Sequence, residues 1–157
     1  MPPDVRLAEP GDAADVAAIA GLRHAWTSEQ AGVVLDDDSY EERFAAWFER
    51  EQHQRLTWLG LADGTPVAML NLLLFTRMPK PGREPSRWGY LANFYVLPQH
   101  RGSGLGTRML AACTAYADEH GLVRVVLSPS ERSVPVYLRG GFEPATSLLV
   151  RPGVLDR

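Results

Sequence analysis

The stretch Arg101-Gly102-Ser103-Gly104-Leu105-Gly106 constrains this chain more than any other. It follows a long apolar run, Trp88 to Leu97, which Pro98 closes because proline brings no N–H to a strand ladder. It precedes Leu105, Met109, Cys113, Tyr116 and Ala117, spaced as one face of a helix. A helix N-terminus carries unpaired N–H groups and a partial positive charge, and glycines let the backbone approach a ligand closely or take positive φ. Strand, glycine-rich turn and helix together form an anion site suited to phosphate. A turn that needs glycine only to reverse the chain would have the same residues.

Two nucleotide readings fail on specific positions. The Walker A turn needs Gly-Lys-Ser/Thr at its end, and here Gly106 is followed by Thr107 and Arg108. The dinucleotide fingerprint needs a third glycine three residues after the second, where Thr107 stands. The strand after the helix ends at Ser128 and Ser130, with no acid for a ribose.

The rest of the chain frames this turn. Val5 to Ala8 alternates as a short strand, and Asp12 is an N-cap for a helix to about Trp26, carried by Val16, Ile19, Ala20 and Leu22. Thr27 to Gly32 is polar and is expected to be a loop. Asp36, Asp37, Asp38 and Ser39 precede a second helix to about Gln52, with Tyr40, Phe44, Trp47 and Phe48 at helical spacing. Leu56 to Ala62 and Val67 to Thr76 are strands joined by Asp63-Gly64, a strong hairpin signal. Met78 to Ser86 is a proline-rich loop. Gly121 is the expected C-terminal stop of the third helix, and Leu122 to Leu127 a strand buried on both faces. A short helix around Pro135 to Arg139 ends at Gly140-Gly141, and Ser147 to Val150 is a candidate closing strand. The order β-α-α-β-β-β-α-β-α-β predicts a mixed α/β layer fold, with residues 1–157 as one domain.

Composition bounds the partners. Apolar residues are 45% and charged residues 22% of 157, enough for an ordinary core. The net charge of -3 gives no long-range pull toward nucleic acid or an anionic membrane, so an anion must be held by a local device. One cysteine, Cys113, allows no intrachain disulfide, and Met1 to Pro10 lacks a secretory pattern. No run approaches the ~18 apolar residues of a spanning helix, so a cytoplasmic protein is expected. No His/Cys cluster has metal-ligand spacing, and no metal is expected.

A second block, Tyr137-Leu138-Arg139-Gly140-Gly141-Phe142, lies one helix and one strand beyond the glycine turn. The turn resembles the coenzyme A signature of the GNAT superfamily of N-acetyltransferases, Gln/Arg-x-x-Gly-x-Gly/Ala, at Arg101, Gly104 and Gly106. The second block resembles that family's Tyr-x-x-x-Gly-Phe. The run Tyr95 to Gly102 and the Pro10-Gly11-Asp12 break after the first strand are also similar. The chain departs from the family at Ser130 and Ser133, where members often carry Asn and Ala, and at Pro135 inside the short helix.

The resemblance implies a central, mostly antiparallel mixed sheet, splayed between strands 4 and 5 and flanked by helices. It implies acetyl-coenzyme A as cosubstrate, its pyrophosphate held at Arg101, Gly102, Ser103, Gly104, Leu105, Gly106 and Thr107, its pantetheine arm along Phe94, Tyr95 and Val96. It implies Tyr137 as the acid that protonates the leaving thiolate, a backbone N–H near Tyr95 or Val96 as oxyanion donor, and an amine acceptor. Many relatives form dimers, so a homodimer is an expectation too. Without the resemblance, Tyr137 would be a core tyrosine. The base stays open: Asn93 and Tyr90 could order a water, whereas Asp36, Asp37, Asp38 and Glu41 suit a helix-start cluster. The aromatic residues of the second helix are core by default, and some could line an acceptor pocket. A silent acyl-coenzyme A-binding module and transfer of a bulkier acyl group are alternatives with the same fold.

Overall fold

The computed structural model describes residues 4–154. Its elements are β1 (Val5–Leu7), α1 (Ala13–Ala31), α2 (Tyr40–Glu51), β2 (Arg55–Ala62), β3 (Thr65–Thr76), β4 (Arg87–Val96), α3 (Leu105–Glu119), β5 (Val125–Val126) and α4 (Val134–Arg139). The sheet order is β1-β2-β3-β4-β5, antiparallel throughout except for the parallel β4–β5 pair. Among the described residues no helix is long and apolar enough to cross a membrane.

The sheet is covered on both faces, and strand alternation sorts its side chains between two cores. Trp58, Leu70, Leu72 and Leu91 meet Leu105, Met109, Leu110 and Cys113 of α3 on one face. Leu59, Met69 and Tyr95 meet Ile19 and Leu22 of α1 and Phe48 of α2 on the other. Two-face burial explains why β3 carries an almost continuous apolar run.

Local chemistry accounts for most element ends. The Asp12 carboxylate accepts from the Ala14 N–H at 2.8 Å and caps α1. Asp63 (φ 49) and Gly64 (φ 80) form the two-residue hairpin turn between β2 and β3. At the end of α3, Gly121 (φ 64) lets the Leu122 N–H reach the Ala117 carbonyl at 2.9 Å, a Schellman stop.

Three expectations are corrected. α1 does not end near Trp26 but runs through the polar Thr27–Gln30 to Ala31, where Gly32 (φ 72) stops it. Apolar periodicity ended at Trp26, while the helix continued through half-buried Thr27 and Ser28 to exposed Glu29 and Gln30. The strand expected over Leu122–Leu127 is reduced to Val125–Val126, because the Leu122 N–H is committed to the α3 cap and the chain turns away at Ser128-Pro129. No strand forms over 147–150: Leu149 is 100% and Val150 84% exposed, so no burial rewards an ordered strand there.

Candidate active site

β4 does two unusual things. Its pairing with β5 stops after Gly89↔Val125 and Tyr90↔Val126, so the strands part and leave Leu91 to Val96 without a neighbour on that side. It also bulges: Met69 pairs with Tyr95 and Asn71 with Ala92, so Leu70 faces two residues, Asn93 and Phe94. Asn93 takes φ 51, a left-handed conformation that asparagine tolerates better than most residues. Its carbonyl accepts from Asn71 Nδ2 at 3.0 Å, and Asn71 Oδ1 accepts from Thr57 Oγ1 at 2.7 Å. Thr57 and Asn71 are both buried, so this polar chain holds the bulge from within the sheet.

The parting opens a cleft of about 850 Å³, near the upper end of ordinary ligand sites. Phe94, Tyr95, Val96, Arg101, Gly102, Gly104, Gly106 and Thr107 line one side, with Leu127, Ser128, Ser130, Arg132, Ser133, Val136 and Tyr137 across from them. The Ser103 hydroxyl is turned back to the His100 carbonyl at 2.9 Å, and the Leu105 side chain is 4% exposed in the core. Neither of those two residues is among the walls of the cleft, so their side chains are not placed to meet a ligand in it, and what the turn presents is chiefly backbone.

That backbone makes the anion cradle. Gly102 (φ 79) and Gly104 (φ 86) adopt conformations closed to most side chains. α3 starts at Leu105 with no side-chain cap, and its first internal bond is Arg108 N–H to the Gly104 carbonyl at 3.1 Å. The N–H groups of Leu105, Gly106 and Thr107 therefore have no partner inside the helix. A Cβ on Gly106 would stand 3.5 Å from Phe94 Cζ and 3.9 Å from Val96 Cγ2, at the cleft wall. A diphosphate fits this arrangement.

Arg101 fixes the turn. Its Nε donates to the Val96 carbonyl at 2.9 Å, and its Nη2 meets both Glu29 oxygens at 2.9 and 2.8 Å. The guanidinium also lies 5.5 Å from the Tyr95 ring, which stacks on Trp26 of α1 at 5.5 Å. The extra turns of α1 are what bring Glu29 within reach, so the misjudged end of that helix hid this contact. Burial, and then the Glu29 charge, push the Tyr95 phenol up. The Leu97 N–H is turned to β3, 2.9 Å from the Val67 carbonyl. Strand alternation turns the Val96 N–H the other way, toward the cleft, and the Tyr95 N–H toward β3.

Tyr137 is held by the end of its own helix. Gly141 (φ 93) allows the Phe142 N–H to reach the Tyr137 carbonyl at 3.0 Å and the Gly141 N–H to reach Leu138 at 3.2 Å. This is a Schellman stop whose usual apolar contact is here Phe142 against the Tyr137 ring, 5.7 Å between centroids. The spacing Tyr-x-x-x-Gly-Phe is thus a capping motif that orients the tyrosine. Phe94 meets the same ring edge-on at 6.4 Å. Burial, and secondarily Cys113, raise the Tyr137 phenol, which is protonated at neutral pH.

A second cavity of about 280 Å³ lies between α1, α2 and the sheet, and Asn93 lines both it and the cleft. Phe44, Trp47, Arg23, Tyr40 and Arg55 form its sides. No periodicity marks this group, since the residues come from three elements; only the aromatic face of α2 pointed to it. Tyr90 lines neither space. None of Asp36, Asp37, Asp38 and Glu41 does either: Asp37 accepts from the Ser39 N–H at 3.1 Å and pairs with Arg43, as a helix-start cluster.

Known proteins share this architecture. A family model described as the acetyltransferase (GNAT) family matches residues 19–142. An aminoglycoside N(6')-acetyltransferase type 1 from Stenotrophomonas maltophilia is 33% identical over 120 residues, covering 76% of this chain and 70% of that protein. A glucosamine 6-phosphate N-acetyltransferase from Trypanosoma brucei brucei is 29% identical over 79 residues, 50% of this chain and 52% of that protein. A solved structure from Clostridium acetobutylicum, described as a predicted acetyltransferase with acetyl-CoA, superposes with TM-score 0.70 at 21% identity over 94% of each chain. At that identity the likeness carries the fold alone.

Proposed function

The chain belongs to the GNAT family of acetyltransferases, and from that premise we propose that it transfers the acetyl group of acetyl-coenzyme A to a primary amine by direct attack, with both substrates bound at once. The observation that carries this reading is the pairing of the cleft at the glycine turn and Tyr137 with a separate cavity of a small amine's size, the two sharing Asn93 in their walls. Both curated relatives are N-acetyltransferases, which supports nitrogen as the acylated atom.

In this reading the free N–H groups of Leu105, Gly106 and Thr107, with the glycines at 102 and 104, hold the pyrophosphate. The open edge of β4 at Phe94 to Val96 carries the pantetheine arm as an added strand. Acetyl-coenzyme A supplies an acetyl thioester. The amine nitrogen bonds to its carbonyl carbon, the carbon–sulfur bond breaks, and the amine proton passes to water. The Val96 N–H meets the negative charge that grows on the carbonyl oxygen. Tyr137 gives its phenolic proton to the departing thiolate and regains one from solvent. Direct attack is favoured over an acyl-enzyme because Cys113 is fully buried and its thiol is pushed up to about 12 by burial.

Calorimetric titration with acetyl-coenzyme A, followed by a thiol-release assay over a panel of amines, tests the reading. Saturable binding and amine-dependent thiol release are expected. Tyr137→Phe should lower kcat by about 10²-fold or more while binding is kept. Absence of acetyl-coenzyme A binding would return the glycine turn to a structural bend.

A further inference from the structure

The second cavity has a chemical character of its own, and of the two named relatives only the glucosamine 6-phosphate N-acetyltransferase is named for an amine that bears an oxyanion. Its polar lining consists of two guanidiniums, Arg23 and Arg55, the Tyr40 phenol and the amides of Asn71 and Asn93; it contains no carboxylate. Among the described residues the ion pairs use Arg6, Arg43, Arg101 and Arg108; Arg23 and Arg55 make none, although the Glu51 charge lies near enough to act on Arg55. Each instead lies over an indole, Arg23 at 4.8 Å from Trp26 and Arg55 at 4.7 Å from Trp47. The Tyr40 hydroxyl oxygen is buried and has no hydrogen-bond partner among the described residues. A buried polar atom without a partner is uncommon in folded proteins and calls for an explanation. Both guanidiniums are donors only, and the phenol can donate as well. What would satisfy all three is an acceptor of negative charge.

We infer that the acceptor is a primary amine on a small molecule that also carries a carboxylate or phosphate, with that oxyanion held by Arg23, Arg55 and Tyr40. The inference rests on the transferase reading and narrows its substrate class. The planar guanidinium fork matches carboxylate and phosphate oxygens, and its stacking on Trp47 fixes the fork before ligand arrives. Phe44 and Trp47 offer flat apolar walls for the body of the molecule, and Asn93 is the residue this cavity shares with the thioester cleft. The same two cations disfavour an ammonium beside them, so the cavity selects the neutral, reactive form of the amine while the oxyanion supplies affinity. A polycationic acceptor of the aminoglycoside kind has no carboxylate to meet here and is repelled by both arginines.

The test compares matched acceptors in the thiol-release assay: tyrosine against tyramine for the carboxylate, phosphoethanolamine against ethanolamine for the phosphate, and spermidine as a polycation. The wild type is expected to prefer the member that carries the oxyanion over its partner that lacks it by about 10- to 100-fold in kcat/KM, the range of charge-assisted hydrogen bonds. The two pairs tell which oxyanion is taken. Arg55→Gln and Arg23→Gln should bring that preference toward unity, chiefly through KM, and Arg55→Lys should restore part of it. Acetyl-coenzyme A titration of each variant shows whether it is folded. Equal or better use of tyramine, ethanolamine or spermidine, or an unchanged preference in both Gln variants, overturns the inference and leaves the transferase reading standing. Loss of acetyl-coenzyme A binding in the wild type instead removes the transferase reading itself. If acetyl-coenzyme A binds and no amine on the panel turns over, calorimetry of the same amines with coenzyme A present decides. Binding of an anionic amine that Arg55→Gln abolishes sustains the inference, and absence of any anionic-amine binding overturns it.

Discussion

Replacing Gly106 by alanine should stabilise the fold and weaken acetyl-coenzyme A binding, two effects of opposite sign from one methyl group. Gly106 is the second residue of α3 and has an ordinary helical φ. The added Cβ would meet Phe94 Cζ at 3.5 Å and Val96 Cγ2 at 3.9 Å, both normal van der Waals distances, so the folded chain accepts it without displacement. Glycine inside a helix costs about 0.5–1 kcal/mol relative to alanine. For a chain of 157 residues that raises Tm by roughly 1–4 °C. The same methyl stands at the cleft wall, where the proposed pyrophosphate must approach the Gly106 N–H. Losing one charge-assisted hydrogen bond of about 1.5–3 kcal/mol weakens binding by about 10- to 100-fold. Thermal denaturation without ligand and calorimetric titration with acetyl-coenzyme A read the two effects separately. A raised Tm with unchanged affinity would show that no ligand comes close to this backbone, and the cradle argument would fail. A lowered Tm would show that the space beside Phe94 is not there.

Three further outcomes follow from particular contacts. Asp15 is buried and accepts from Arg6 Nη1, Arg6 Nη2 and the Glu9 N–H, each at 2.8 Å, and the Arg6 contact holds its pKa below the usual carboxylate range. Its stabilisation is complete above about pH 4 and is lost as pH falls through the lowered value, so Asp15→Asn should cost about 2 kcal/mol at pH 7 and flatten the acid limb in urea melts. Cys113 should resist a thiol reagent in the native protein and react at once in denaturant; rapid native labelling would contradict its burial. Gly141→Val forces a branched residue to φ 93 at a cost of about 1–2 kcal/mol, and by loosening Tyr137 it should lower kcat more than acetyl-coenzyme A affinity.

The parts of the fold legible in the sequence were those whose cause is local. The Asp63-Gly64 hairpin, the Asp12 cap, the Gly121 stop and the glycine turn each depend on the φ preferences or hydrogen bonds of a few neighbouring residues. The elements misjudged depended on distant partners. α1 persists to Ala31 because nothing in Thr27–Gln30 forbids helix, even though apolar periodicity ends at Trp26. The final strand fails for want of an ordered edge, since β5 pairs over two residues only. The β4 bulge had a faint sign, an asparagine within an apolar strand. Its cause is Asn71, buried 22 residues earlier in the chain and bonded to the Asn93 carbonyl.

The same distinction separates the two halves of the candidate site. A phosphate cradle is built from backbone N–H groups, and backbone is displayed by leaving side chains out. Glycine spacing therefore announces it in one short stretch. An acceptor pocket is built from side chains delivered by separate elements: Arg23 from α1, Tyr40 and Trp47 from α2, Arg55 from β2. No spacing rule links them, and each alone has a bland explanation as a surface cation or a core aromatic. Only their convergence around one cavity, with two guanidiniums outside any ion pair among the described residues and a phenol without a hydrogen-bond partner there, gives them a common purpose. Cosubstrate use can therefore persist through changes that rewrite the acceptor. For that reason the charge of this cavity, and not the 33% identity to an aminoglycoside acetyltransferase, is the better guide to what this chain acylates.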